Sequence, residues 1–243
     1  MKNIHRFCKM GLLMALLVGA LFALSSCSSS DSAAKTSNVM PIVLDQKEYV
    51  LSQNIFYNDA GAAYVGKSVT KKGIFATLVD VYNGKTRYYV WGYNDNTKCC
   101  DWQWELVPTD TENLPTNGSL IEAKGTFRDS TNALDGYWIS GAKIDVITEY
   151  TGPSAEVDMS LMSDTLERVQ LANVMRSPER FEGKTFSAVG RITATGEIED
   201  PYYDNSWSVP YSSSETAPAV GKEVTLRGVI SEGVLSDCTF TVQ

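Results

Sequence analysis

The 243-residue sequence carries a single histidine, His5, and it lies in the first 26 residues, which read as a segment removed on export. A mature chain without histidine cannot assemble Ser-His-Asp or Cys-His nucleophilic machinery, an imidazole general base or a histidine-containing zinc site. Chemistry would have to come from carboxylates, a Ser-Lys pair or a bound cofactor. Positive charge is the second shortage. Loss of Lys2, Arg6 and Lys9 leaves 18 basic residues against all 29 acidic ones, a mature charge of about −11. Lys and Arg supply most non-specific affinity for phosphate backbones, so this balance argues against nucleic acid as a partner. It argues equally against adhesion to an anionic leaflet through a basic patch. A third absence is a second apolar run of membrane-spanning length, so the rest of the chain is expected to be soluble.

The one apolar run that is present gives an address. Lys2, Arg6 and Lys9 make a positive start, no acidic residue occurs before Asp31, and Gly11 to Leu24 is an apolar stretch of 14 residues. That is short for a bilayer span and right for a signal core. It ends in Leu24-Ser25-Ser26-Cys27, which resembles the lipobox of bacterial lipoproteins. The resemblance implies cleavage before Cys27, lipidation of its thiol and a membrane partner engaged through that anchor, on the extracytoplasmic side of the cell membrane or the outer membrane. Residues 28–38 are rich in Ser, Ala, Thr and Asn, and cannot bury enough apolar surface to fold. Extended, such a tether reaches up to ~40 Å. Residues 1–26 thus read as signal and 27–40 as lipidated tether.

The mature region contains a repeat. A glycine, an apolar residue three later, a second glycine seven after the first and an apolar residue two beyond it occur four times. The copies are Gly66…Val69…Gly73…Phe75, Gly118…Ile121…Gly125…Phe127, Gly183…Phe186…Gly190…Ile192 and Gly221…Val224…Gly228…Ile230. Tyr64-Val65-Gly66-Lys67-Ser68 also echoes Phe181-Glu182-Gly183-Lys184-Thr185. Two homologous units follow, residues 41–150 and 165–243, joined by a linker at 151–164. Each copy reads as a turn glycine and then a strand bent at its interior glycine.

Further strands are expected at Thr86–Tyr93, Trp102–Val107, Tyr137–Ile147, Ser206–Tyr211 and Val234–Val242, with Asn83-Gly84 as a two-residue hairpin turn. A short helix precedes each unit, the clearer one at Arg168–Met175, stopped by Ser177-Pro178. The fold expected is mainly β: two tandem small OB-like barrels, each preceded by a short helix, after the signal and flexible tether. A Greek-key β-sandwich is the main alternative.

The first unit resembles a family of extracytoplasmic OB-fold proteins, often lipoproteins, of anaerobic bacteria. The resemblance rests on the strand Tyr88-Tyr89-Val90-Trp91, the vicinal pair Cys99-Cys100, the strand Glu105-Leu106-Val107 and Gly118…Gly125-Thr126-Phe127. It implies no catalytic activity, and no cofactor is expected. Some relatives stand beside metal-transport genes.

Cys99 and Cys100 are the most unusual feature. A disulfide between them would join Cα atoms ~3.8 Å apart, below the usual range, and would be strained. On an extended strand their side chains point to opposite faces, so joint metal ligation needs a turn. A soft metal would want further ligands, such as carboxylates or Cys238. Structural, metal and redox roles stay open. Cys238 alternates with Phe240 and Val242 and reads as a core residue, though a disulfide to the pair would staple the two units.

Tyr89, Trp91, Trp102 and Trp104, within a wider group that includes Tyr82, Tyr88 and Tyr93, are the ligand-binding candidates. Aromatics on an OB strand face stack on flat or sugar-like ligands. The competing reading is that they fill the barrel. Glu197, Glu199, Asp200, Asp204 and Asn205 lack the spacing of an EF-hand loop and read as a solvated hairpin tip. The function expected is a lipid-anchored, non-enzymatic binding or scaffold protein for a small molecule, glycan or protein. The alternative is a metal- or thiol-handling accessory of a transporter, centred on Cys99-Cys100.

Overall fold

In a computed structural model, residues 64–80, 82–93, 100–129, 136–201 and 207–243 are described, together with the backbone of a short strand at Ile42–Leu44. The four glycine motifs organise the fold. Their first glycines, Gly66, Gly118, Gly183 and Gly221, all turn the chain with φ between +74° and +88°, a conformation that other residues reach only with strain. Each then opens a long strand: β2 (Ser68–Val79), β5 (Leu120–Asp129), β8 (Thr185–Ile192) and β11 (Glu223–Ser231).

These strands pair two by two, antiparallel, in a way that explains the spacing of the motif. On β2 and β5, Gly73 faces Ile121 and Gly125 faces Val69. On β8 and β11, Gly190 faces Val224 and Gly228 faces Phe186. The closing apolar residue of each motif grips the turn of its partner. Gly66 N–H donates to Phe127 O and Gly118 N–H to Phe75 O, both at 2.9 Å; Gly183 N–H donates to Ile230 O and Gly221 N–H to Ile192 O, both at 2.8 Å. Each interior glycine also admits a third strand. A Cβ there would lie under 3.0 Å from a carbonyl of the neighbouring strand, that of Trp91, Ser140, Glu199 or Ser236.

The remaining strands complete two sheets of matching connectivity. In the first, β2 is followed by β3 (Thr86–Tyr93), β4 (Asp101–Pro108), β5 and β6 (Tyr137–Thr148). The pairings run β2-β3-β4-β6-β5 and return from β5 to β2, with β4 and β6 parallel. The second runs β10 (Ser208–Pro210), β9 (Glu197–Glu199), β8, β11 and β12 (Val234–Val242). A parallel bridge from Tyr211 to Leu235 links the end of β10 to β12. A short parallel strand adds to the first long strand of each sheet: β1 (Ile42–Leu44) beside Val69, and β7 (Val157–Asp158) beside Phe186, the same motif position. The chain is therefore mainly β, in two sheets.

Inside the first sheet pack Val69, Phe75, Val90, Trp102, Trp104, Ile121, Phe127 and Ile139 with their neighbours. Each such large apolar side chain contributes roughly 1.5–3 kcal/mol relative to exposure. The outward face of β2 and β3 is not left wet. Ala76, Leu78, Tyr89 and Trp91 join the core of the second sheet through the helix α1 (Asp164–Arg176), in a single apolar cluster. Residues 40–243 form one compact unit. The stretch expected as a linker, 151–164, contributes β7, a 3-10 turn at Met159–Leu161 and the cap of α1.

Two expectations shift. The helix begins a turn earlier than Arg168, because Ser163 caps it: the Ser163 hydroxyl accepts from Leu166 N–H at 3.2 Å. The hairpin between β2 and β3 is wider than a two-residue turn. Val79 pairs with Thr86, Asp80 N–H donates to Lys85 O at 2.8 Å, and the Asp80 carboxylate accepts from Tyr82 N–H at 2.8 Å. A side chain that captures its own loop competes with the tight turn that Asn83-Gly84 alone would make.

Candidate functional site

The chemistry of the molecule gathers where α1 lies between the two sheets. Its N-terminus is received by β4. The Asp101 carboxylate accepts from Thr165 N–H at 2.8 Å and from the Thr165 hydroxyl at 2.9 Å, and the Ser163 hydroxyl donates to Gln103 Oε1 at 3.0 Å. A carboxylate at the first turn satisfies an orphan N–H and meets the positive end of the helix dipole. One and a half turns on, the helix serves β2: Val79 N–H donates to Gln170 Oε1 at 3.0 Å, and Asn173 Nδ2 donates to Val79 O at 2.9 Å. Leu166, Leu171 and Val174 are buried in the same cluster as Phe186, Ala188 and Ile198 of the second sheet.

Carboxyl groups crowd this seam. Burial, then the charge of Asp101, raises the half-buried Asp164, while Arg168 and a hydrogen bond with Tyr93 oppose the shift. Glu167 is 7% exposed and takes the Val189 N–H of β8. Burial holds it well above the ordinary carboxylate range, with Asp164 and Asp200 adding to the effect. Asp200, after β9, is itself buried.

Two clefts flank α1. One, of about 140 Å³, lies between the β2–β3 connection and the helix, lined among others by Leu78, Asp80, Tyr82, Arg87 and Asn173. Tyr82 is 82% exposed, and its hydroxyl accepts from Arg176 Nη1 at 3.2 Å. Arg87 is held by both oxygens of Glu105. The other, of about 170 Å³, is apolar and lies between α1 and the second sheet, with Leu171, Val174, Met175, Phe186 and Val209 in its wall.

The structure separates the residues singled out from the sequence. Tyr89, Trp91, Trp102 and Trp104 are all buried, at no more than 8% exposure. Trp102 and Trp104 do share a face of β4, with Gln103 on the other, but that face is the interior of the first sheet. Their rings meet Lys71, whose Nζ lies 3.6 Å from the centroid of Trp102 and 5.0 Å from that of Trp104. Lys71 is fully buried, a cation over indole faces. Sequence reading passed over it, although the alternation Val69, Lys71, Gly73, Phe75 turns it inward. Among the described residues of that aromatic group, Tyr82 is the one fully at the surface.

Cys27 and Cys99 lie outside the described residues, and Cys100 is exposed beside the start of β4. Cys238 is a buried thiol donating to Leu235 O at 3.3 Å, and burial pushes it up to about 11. It forms no disulfide, so the two halves are fastened by α1 rather than by a cysteine staple. The described part of the acidic stretch, Glu197 to Asp200, is not a solvated tip. Glu197–Glu199 is β9, Glu199 pairs with Arg191 at 2.8 Å, and Asp200 is buried; Asp204 and Asn205 lie outside the described residues. Among the described residues, no group of three or more His, Cys, Asp or Glu side chains is placed to hold a metal ion. Among them also, no helix is long and apolar enough to cross a membrane.

Comparison with known proteins adds little. No family model matches the chain, and no curated protein matches it. One structural neighbour is a crystal structure of a putative aspartyl-tRNA synthetase from Leishmania major Friedlin. It is 11% identical over 88% of this chain and 52% of that one, with a TM-score of 0.29. The chain thus spans about half the length of that neighbour, and a similarity this low carries no argument.

Proposed function

We propose that this chain is a lipid-anchored, extracytoplasmic binding or scaffold protein, built from two OB-like modules and working by recognition rather than catalysis. The Leu24-Ser25-Ser26-Cys27 motif and the polar tether after it support the anchor. Support for the OB-like description comes from the order in which strands pair. Counting from the long glycine-bearing strand, both sheets run first, second, third, fifth, fourth and back to the first, with third and fifth parallel. A small Greek-key barrel of five strands has this connectivity.

The observation that carries the binding reading is the cleft beside Tyr82. An aromatic ring stands at the surface of a cleft lined by Leu78, Val169, Asp80 and Arg87, on the seam that α1 makes. Amphipathic rings held in place contribute contact area at low entropic cost, as recognition surfaces require. A photoreactive aromatic at this position tests it: Tyr82→benzoylphenylalanine in the full-length anchored protein, irradiated in its own membrane. A discrete adduct that is lost when the photoreactive residue is moved to the exposed Val220 supports recognition at the cleft. Irradiation that yields no adduct from position 82, or the same adducts from both positions, overturns it.

A further inference from the structure

Glu167 is the one buried acid of α1 that the recognition reading does not use. Its carboxyl is enclosed at 7% exposure, and Oε1 has no hydrogen-bond partner among the described residues. The Val189 N–H supplies a single donor from β8. Gln170, one turn further along the same face, spends its carbonyl oxygen on Val79, and its buried Nε2 does not reach Glu167 either. The surrounding charge is of the wrong sign for an ionised carboxyl. Asp164 precedes it by one turn, Asp200 faces it from beyond β9, and among the described residues the main opposing charge is Arg168. Asp101 of β4 and Tyr93 of β3 bear on Asp164 from the other sheet. A carboxylate would have to be buried nearly bare between two acids; the neutral acid fits.

We propose that a proton on Glu167 gates the seating of α1, so that the two sheets are clamped together in acid and released from the helix in alkali. The sign follows from linkage. In the unfastened helix Glu167 meets water and ionises near the ordinary glutamate value of about 4.3. In the seated helix it holds its proton to higher pH. Below about 4.3 both forms are protonated and the clamp is at full strength. Above that, the open form alone loses its proton, and opening becomes about tenfold more favourable per pH unit. The rise ends where the seated acid ionises as well. Asp164, raised in the same direction, adds to the slope.

Hydrogen exchange of the full-length protein between pH 5 and 9, corrected for intrinsic exchange chemistry, reads the gate directly. The expected result is opening of residues 164–176 that rises by about tenfold per pH unit or more, while the β2–β5 ladder stays protected. Glu167→Gln, neutral at every pH and of the same shape, is expected to flatten the rise. Asp164→Asn, which removes a like charge, is expected to end it at a lower pH, and keeps the test alive should the first variant fold poorly. A pH-independent helix in the wild type overturns the proposal, as does an unchanged slope in Glu167→Gln or an equal rise throughout the β2–β5 ladder.

Discussion

Asp101, the first residue of β4, holds Thr165 of α1 by two hydrogen bonds, one to its backbone N–H at 2.8 Å and one to its hydroxyl at 2.9 Å. A strand of the first sheet thereby caps the helix that packs on the second. Asp101→Ala should cost about 0.5–2 kcal/mol, the usual range for losing a cap. Thr165→Ala should cost less, about 0.5–1.5 kcal/mol, because the backbone bond survives. Urea unfolding of both variants checks the order. Equal losses would show that the backbone bond contributes nothing.

The glycine motifs predict paired effects in the two halves. Gly125 and Gly228 occupy matching places, and a Cβ at either meets a backbone carbonyl, of Ser140 or Ser236, under 3.0 Å away. Backbone cannot step aside as a side chain can, so Gly125→Ala and Gly228→Ala should each lower stability by roughly 1–3 kcal/mol. Thermal unfolding that finds one position tolerant and the other not would break the equivalence of the halves.

Trp102 separates packing from recognition. It is fully buried, beneath the ammonium of Lys71. Trp102→Ala should cost about 3–5 kcal/mol, as for other large core aromatics. A surface side chain would cost within about 0.5 kcal/mol. A small loss in chemical denaturation would return Trp102 to the list of ligand-facing residues.

Cys238 should behave as an inert thiol. Burial raises it to about 11, so the reactive thiolate is scarce at pH 8, and the sulfur is enclosed as well. Native protein treated with iodoacetamide should leave the Cys238 peptide unmodified until denaturant is added. Labelling at a rate similar to that of the exposed Cys100 would contradict the burial.

Much of the fold is legible in the residues, and what escapes has physical causes. The glycine spacing sets out both halves because it is a register rule: the turn glycine and the closing apolar residue bond to each other across a pair of strands. Strands at Thr86–Tyr93 and Val234–Val242 are readable to the residue. The face of an aromatic strand is not. Alternation places Trp102 and Trp104 together but does not say whether that side meets water or the interior. Gln103, between them, is the opposite case: a polar residue buried because Ser163 hydroxyl meets it, 60 positions away. The seam of α1 depends on such long-range bonds, to Asp101, Gln103 and Val79, and no local pattern announces them. Lys71 was legible by parity alone, as the odd member of an inward apolar row.

The lipid anchor is reached by one measurement: mass spectrometry of the N-terminal peptide of the protein purified from its own membrane. The mature chain is expected to begin at Cys27, carrying a diacylglyceryl group on sulfur, and Cys27→Ala is expected to leave the membrane fraction or remain as full-length precursor. A wild-type chain that begins elsewhere, or begins at Cys27 with an unmodified thiol, would contradict it.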